Sequence, residues 1–229
     1  MKKKNYVIIG GSKGIGRAIL DTLLPSSVIT NISRTAPDIE HENLTHVNGD
    51  ILSSDLPDLG TLDGLIYCPG SINLKPISRL NLDDFRNDFE INVLGAVKTI
   101  QHYLPNLKEG ESPAILLFST VASKLGMPFH ASIATAKSGV EGLVKSLGAE
   151  LAPTIRINAI APTVTNTTLA GKLLRNDRQI EAMKERHPLK TFLEPEDVAE
   201  MASFLMSDKA RSISGQIFEM DAGIVTFKI

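Results

Sequence analysis

The chain has one cysteine, no tryptophan and only three tyrosines among 229 residues. A lone cysteine, Cys68, excludes an internal disulfide and leaves no thiolate cluster for a metal. No apolar run reaches the length that a membrane-spanning helix needs. The basic start, Lys2-Lys3-Lys4, is followed only by a short apolar run ending at Ile9, too brief for a signal-peptide core. The net charge of −2 lacks the positive excess that marks a nucleic-acid or anionic-membrane partner. No glycine- or proline-rich linker, repeat or low-complexity segment divides the chain. An apolar content of 42% is enough for one substantial core, so residues 1–229 read as one cytoplasmic domain.

What the chain does have is concentrated near its start, in Tyr6 to Arg17, YVIIGGSKGIGR. Tyr6-Val7-Ile8-Ile9 has the continuous apolar character of a buried parallel strand. It runs into Gly10, Gly11, Ser12, Lys13, Gly14, Ile15 and Gly16, and a helical pattern follows from Arg17 to Leu24. Strand, glycine turn and helix start, in that order, suit a pyrophosphate. Missing Cβ atoms let the backbone approach the phosphates, and the free N–H groups of the helix start point at the charge. The spacing is G-x-x-x-G-x-G, not the dinucleotide fingerprint G-x-G-x-x-G, and a glycine spacing alone also fits an ordinary loop.

Strand and helix patterns alternate after that. Strand-like runs occupy Ser27–Ser33, Leu44–Gly49, Leu62–Tyr67, Ala114–Ser119, Arg156–Ala161 and Gln216–Met220. Helical patterns occupy Asp83–Gln101, with Phe85, Phe89, Val93, Val97 and Ile100 on one face, then Ala134–Leu151 and Pro195–Met206. The polar stretch Thr165–Arg186 reads as a helical, mobile cover. Lys172, Arg175 and Arg178 within it suit either an acidic substrate or plain solvent. The alternation predicts an α/β fold, a Rossmann-type doubly wound sheet of about seven parallel strands with helices on both faces. Ligands of such sheets bind at the carboxyl ends of the strands. The second strand ends in Ser33-Arg34-Thr35, with no acid to accept from a ribose 2′-OH. Arg34 and Lys13 with a hydroxyl between them favour a 2′-phosphate, hence NADP(H) over NAD(H). A solvated surface role is the alternative for Arg34.

Taken together these stretches resemble the short-chain dehydrogenase/reductase family over nearly the full length. The family's T-G-x-x-x-G-I-G appears as Ile9 to Gly16, its acid after the third strand as Asp50 followed by Ile51, and its N-N-A-G as Tyr67-Cys68-Pro69-Gly70. Its helix asparagine matches Asn92. Its P-G-x-x-x-T matches Pro162 to Thr167, with Thr163 in place of the glycine and Thr165 inside. The resemblance implies that Gly10, Ser12, Lys13, Gly14, Ile15, Gly16, Ser33, Arg34, Asp50, Ile51, Cys68, Pro69, Gly70, Asn92, Lys137, Pro162, Thr165 and Thr167 hold the cofactor. It also implies a small-molecule substrate and a homotetramer or dimer. Leu143, Val144 and Leu147 would suit such an interface and suit a core equally.

The catalytic motif departs from the family's Y-x-x-x-K. Its lysine aligns with Lys137, but four residues earlier stands Ile133, and the family serine aligns with Thr120. Asn92, Thr120 and Lys137 are therefore the catalytic candidates, without the phenol that normally protonates the substrate oxygen. Positions 133 and 137 share a helix face, and a hydrocarbon there has no proton to give. Three readings stay open. The proton comes from Ser132, His130, Lys137 or a water; the substrate, an enone or iminium, needs no strong acid; or the chain is a catalytically silent NADP(H)-binding subunit. Cys68 reads as a small apolar residue at a strand end, Tyr67 and Tyr103 as packed side chains or stand-in acids. Glu194, Glu196 and Asp197 read as a helix start, with no metal site.

Overall fold

The computed structural model describes residues 3–171 and 173–227; Lys2 and Lys172 lie outside them. Seven strands, β1 (Lys4–Ile9), β2 (Ser27–Ser33), β3 (Leu44–Asn48), β4 (Gly64–Tyr67), β5 (Ala114–Phe118), β6 (Arg156–Pro162) and β7 (Ile217–Met220), form one sheet in the order β3-β2-β1-β4-β5-β6-β7. Every pairing is parallel. The strands are joined mainly through α1 (Gly14–Leu23), α2 (Leu82–Phe89), α3 (Gly95–Lys108), α4 (Ala131–Glu150), α5 (Asp177–Arg186) and α6 (Pro195–Met206). This is the doubly wound α/β sheet that the alternating patterns predict.

Burial follows the two-residue period of a strand. In β1, Tyr6 and Ile8 face a core built with Ile19 and Leu20 of α1 and Val198 and Ala202 of α6. Val7 and Ile9 face the opposite core, with Ile100 and Tyr103 of α3 and Val140 and Val144 of α4. Because both faces are covered, β4 and β5 are buried throughout and read as unbroken apolar runs, whereas the edge strands β3 and β7 are only partly buried. Val144 belongs to this core, and Leu143 and Leu147 pack against it. Arg156, buried at the start of β6, donates to the carbonyls of Leu205 (2.9 Å) and Ser207 (3.2 Å), placing a cation on the C-terminal end of α6.

The single helix expected over Asp83–Gln101 is two helices joined by a π turn, Glu90–Leu94. Gly95 N–H donates to the carbonyl of Glu90, an i to i−5 bond. The turn inserts one residue and rotates the buried face by roughly a third of a turn. Phe89 is therefore 40% exposed and Asp88 is wholly buried, while Ala96, Thr99, Ile100 and Tyr103 face the core after the turn. Tyr67 Oη donates to Ile91 O at 2.6 Å and takes up a carbonyl within the π turn. Tyr103 likewise packs, donating to Pro57 O at 3.1 Å. Among its described residues, the Thr165–Arg186 stretch is helical only at Thr168–Ala170, a single 3₁₀ turn, and in α5, where Asn176 caps the helix by accepting from Gln179 N–H. Arg175 and Arg178 are exposed.

A Cβ on Gly95 would collide with the Tyr67 hydroxyl. Gly95→Ala is expected to cost about 2 kcal/mol by overpacking, against a helix-propensity gain of about 1 kcal/mol. Combined with Tyr67→Phe, which removes the colliding oxygen, the two losses should fall short of additive by at least about 0.5 kcal/mol. Urea unfolding of the single and double variants measures this, and strict additivity would refute the contact.

Candidate active site

The carboxyl ends of the strands open into one cleft of about 800 Å³. Its first end is built on the β1–α1 turn. Gly10 (φ 79°) and Gly14 (φ 54°) are in the left-handed region, and a Cβ on Gly16 would run into the Gly10 carbonyl. Lys13 occupies the N-cap of α1 without a side-chain cap, and no acid lies in the first turn, so the helix amides there have no anionic side chain beside them. The sequence reading overlooked Asn31. Fully buried in β2, it accepts from Gly11 N–H through Oδ1 at 2.9 Å and donates through Nδ2 to Ser33 Oγ at 2.9 Å. A lone amide within a β-branched strand was the available signal. Ser33 Oγ in turn donates to Thr35 O, and Thr35 Oγ1 to Ser12 Oγ. Lys13 and Arg34 line this end, both are exposed, and neither has an ion-pair partner among the described residues. Asp50 and Ile51 also line it, and Asp50 closes its own turn by accepting from Leu52 N–H at 3.0 Å. Uncapped amides, two unpaired cations and a floor that admits no Cβ fit a phosphorylated dinucleotide.

The other end holds Lys137 and Thr120. Lys137 is 9% exposed, and Nζ donates to the Phe118 carbonyl at 2.8 Å. Burial pulls its pKa down from 10.5 to about 8, outweighing the opposing influence of Cys68 and Asp88. Thr120 Oγ1 accepts from Ala122 N–H at 3.3 Å. Ile133, one turn before Lys137 on α4, is buried and forms part of the wall. None of the three tyrosines lines the cleft. Pro69, Gly70, Pro162, Thr165 and Thr167 line it, as do Ile15, Ser12 and Cys68. The Cys68 thiol is pushed up to about 12 by burial, which Lys137 only partly offsets.

Asn92 is not part of the cleft wall; the π turn sets it behind Gly70. Its Nδ2 donates to Asp88 O (2.7 Å) and Ser71 Oγ (3.1 Å), while its buried Oδ1 has no partner. Oδ1 and Lys137 Nζ lie 3.2 and 3.6 Å from the point where a Cβ on Gly70 would stand, so both face the same small gap. Ser132 points out of the cleft altogether, donating to Asp88 Oδ2 at 2.6 Å. Asp88, unforeseen because it sits between Phe85 and Phe89, also accepts from Ser71 Oγ (2.5 Å) and Asn73 Nδ2 (3.0 Å). His130 does line the cleft, half-buried, with Nδ1 on the Pro128 carbonyl at 2.7 Å.

A fold with this cleft has many counterparts. The family model described as enoyl-(acyl carrier protein) reductase matches residues 51–225. The inactive 2-(S)-hydroxypropyl-CoM dehydrogenase 2 of Xanthobacter autotrophicus is 32% identical over 171 residues, 72% of this chain and 74% of that protein. Carbonyl reductase (NADPH) 2 of Sus scrofa is 27% identical over 230 residues, 95% of this chain and 94% of that one. Among solved structures, ElxO with NADP bound superposes with a TM-score of 0.86 at 24% identity, covering 99% of this chain and 100% of its own. The chain belongs to the short-chain dehydrogenase/reductase family.

A buried ammonium with one carbonyl partner is a stability cost. Lys137→Met keeps much of the side chain's volume and removes the charge. At pH 7 it is expected to stabilise the fold by on the order of 3 kcal/mol, the equivalent of the pKa depression. Below pH 8 both the folded and unfolded chains carry the Lys137 proton, and the penalty is complete. Between pH 8 and the ordinary lysine value only the unfolded chain keeps it, so wild-type stability rises and the advantage of the variant shrinks. Thermal unfolding of both proteins from pH 6.5 to pH 10 checks the sign; a constant gap refutes it.

Proposed function

We propose that the chain is an NADPH-dependent oxidoreductase that reduces a small carbonyl, enone or imine in a site where Ile133 replaces the family tyrosine. The observation that carries this reading is the meeting, in one cleft, of a glycine-floored anion end with a lysine and hydroxyl end. The family membership supports it, and so does the name of the Sus scrofa relative, a carbonyl reductase that uses NADPH.

When bound, the dinucleotide supplies the hydride. The chain's residues bind, orient and balance charge. The amides of Gly14, Ile15 and Gly16 receive the pyrophosphate. Ser12, Lys13, Ser33 and Arg34 receive a 2′-phosphate, Arg34 through a planar fork suited to it. Asp50 and Ile51 border the adenine. Cys68, Pro69 and Gly70 form the floor, and Pro162, Thr165 and Thr167 the wall near the reacting end. Lys137 serves the ribose hydroxyls and places a positive charge beside the developing negative oxygen. Thr120 donates a hydrogen bond to that oxygen. Asn92 acts from behind Gly70, where its free Oδ1 and Lys137 Nζ can hold one water between them.

Two measurements test the reading. Fluorescence titration should give saturable NADPH binding, with NADH weaker. Arg34→Ala should weaken NADPH by about 10- to 100-fold, the worth of a charged hydrogen bond, while leaving NADH nearly unchanged. In single-turnover mixing with cyclohexanone, 2-cyclohexenone and 3,4-dihydroisoquinoline, Lys137→Ala should abolish NADPH oxidation. Ile133→Tyr, which restores a phenol one turn from the lysine, should speed ketone reduction by at least about 100-fold. Binding of NADPH with no oxidation of any probe by the wild type would leave only a nucleotide-binding homologue.

A further inference from the structure

The reacting end of the cleft is walled largely by hydrocarbon, including Ile72, Val121, Ile133, Leu173 and Met183. At the neighbouring end of β6 and just past α5, two polar side chains interrupt it. Thr163 follows Pro162 at the end of β6, at the position where the family keeps glycine. His187 follows the last residue of α5 and is 1% exposed. Both line the cleft. His187 Nδ1 lies 2.7 Å from the Met183 carbonyl oxygen, and Nε2 lies 2.8 Å from Thr163 Oγ1.

The chemistry of these contacts fixes where the protons are. A carbonyl only accepts, so Nδ1 carries a hydrogen. In a neutral imidazole Nε2 is then an acceptor, and Thr163 spends its one hydroxyl hydrogen on it. The Thr163 oxygen consequently offers the cleft lone pairs alone. When the imidazole is charged, Nε2 donates to Thr163 Oγ1 and the hydroxyl hydrogen is released to turn toward the cleft. Backbone bonds hold both residues in place, Thr163 N–H to Met220 O (2.8 Å) and His187 N–H to Lys184 O (3.0 Å). Charged groups on the surrounding elements do not compete for the ring nitrogens. Lys190 pairs with Glu185, and Asp221, in the turn after β7, accepts from the N–H groups of Gly223, Val225 and Thr226. Arg186 and Lys184 stand on α5 itself, and Arg186 borders the cleft.

We propose that Thr163 is the proton donor of the reaction and that His187 is the positioning residue that recharges it. The proposal rests on the reductase reading above. After the dinucleotide's hydride adds to the substrate carbon, the substrate oxygen holds the electron pair of the former π bond. That oxygen forms a bond to the Thr163 hydroxyl hydrogen. The Oγ1–H bond breaks, Oγ1 takes the Nε2 proton of His187, and the imidazole is left neutral with Nδ1–H still on Met183. One hydride and one proton are consumed, the substrate is reduced to an alcohol and the dinucleotide is oxidised.

Histidine-selective ¹⁵N labelling with two-bond ¹H–¹⁵N spectra tests the pair directly, since the chain has only five histidines and His187→Asn assigns the signal. Nδ1 should carry a hydrogen whether or not Nε2 does, and single-turnover reduction of cyclohexanone should slow as the spectrum shows Nε2 losing its proton. Thr163→Val should shift the Nε2 resonance, and Thr163→Ser should restore it. With cyclohexanone, whose oxygen must take the proton, Thr163→Val should slow single-turnover NADPH oxidation by about 100-fold and Thr163→Ser by under about tenfold, with NADPH affinity unchanged in both. The opposite tautomer, or wild-type oxidation rates in Thr163→Val, overturns the relay while leaving the reductase reading intact. Failure of the wild type to bind NADPH, or to oxidise it with any probe, sinks that reading and the relay with it.

Discussion

All seven strands run in one direction, and that constraint places every carboxyl end on the same edge of the sheet. The turns leaving those ends are forced against one another. Gly10 sits where a Cβ would be 3.3 Å from Pro69, and Gly14 where one would be 3.2 Å from Thr167. Gly70 leaves open the gap faced by Asn92 and Lys137. Each of these glycines marks a meeting of chain segments that are distant in sequence. The floor of the cleft is thus a consequence of sheet direction, and its glycine content is what close approach of backbones demands.

Local polar bonds then hold the edge in register. Asn31 reaches from β2 to Gly11 and to Ser33, so the glycine turn and the end of the second strand are tied together. On the far side the π turn carries Asn92 inward, and Asp88 gathers Ser71, Asn73 and Ser132 around a buried carboxylate. A buried charge is tolerated only when its lone pairs are taken up, and three donors on two oxygens achieve that. Asp88 also opposes the loss of charge on Lys137. The wall and the layer behind it are one electrostatic unit.

Order and type of elements were legible because both faces of the sheet are covered. Central strands such as Ala114–Phe118 are apolar throughout, and Pro195–Met206 announces itself by a first-turn proline and acids. The glycine turn was legible for a related reason, since three glycines between a buried strand and a helix start mark a close approach of backbones. The π turn was not legible. Phe85, Phe89, Val93, Val97 and Ile100 have the spacing of one continuous helix, and a single inserted residue changes which of them are buried without altering any local propensity. That one residue sets Asn92 behind Gly70. Thr163 and His187 were invisible because 24 positions separate them and only the return of the chain past β7 brings them together.

The chemistry of the cleft follows from what burial does to each ionisable group near Lys137. The Tyr67 phenol is raised by burial, and further by Asp50, Cys68 and Glu90, while its hydroxyl is committed to Ile91. The Cys68 thiol is raised as well. Burial disfavours charge, so it weakens these neutral acids as proton donors and makes an ammonium a better one. In an apolar pocket, therefore, nitrogen acids gain where oxygen and sulfur acids lose. Ile133, buried one turn before Lys137, adds hydrocarbon to that pocket and drives the balance further that way. Lys137 is the nitrogen acid that this effect favours in the cleft wall, its pKa drawn down to about 8 by burial.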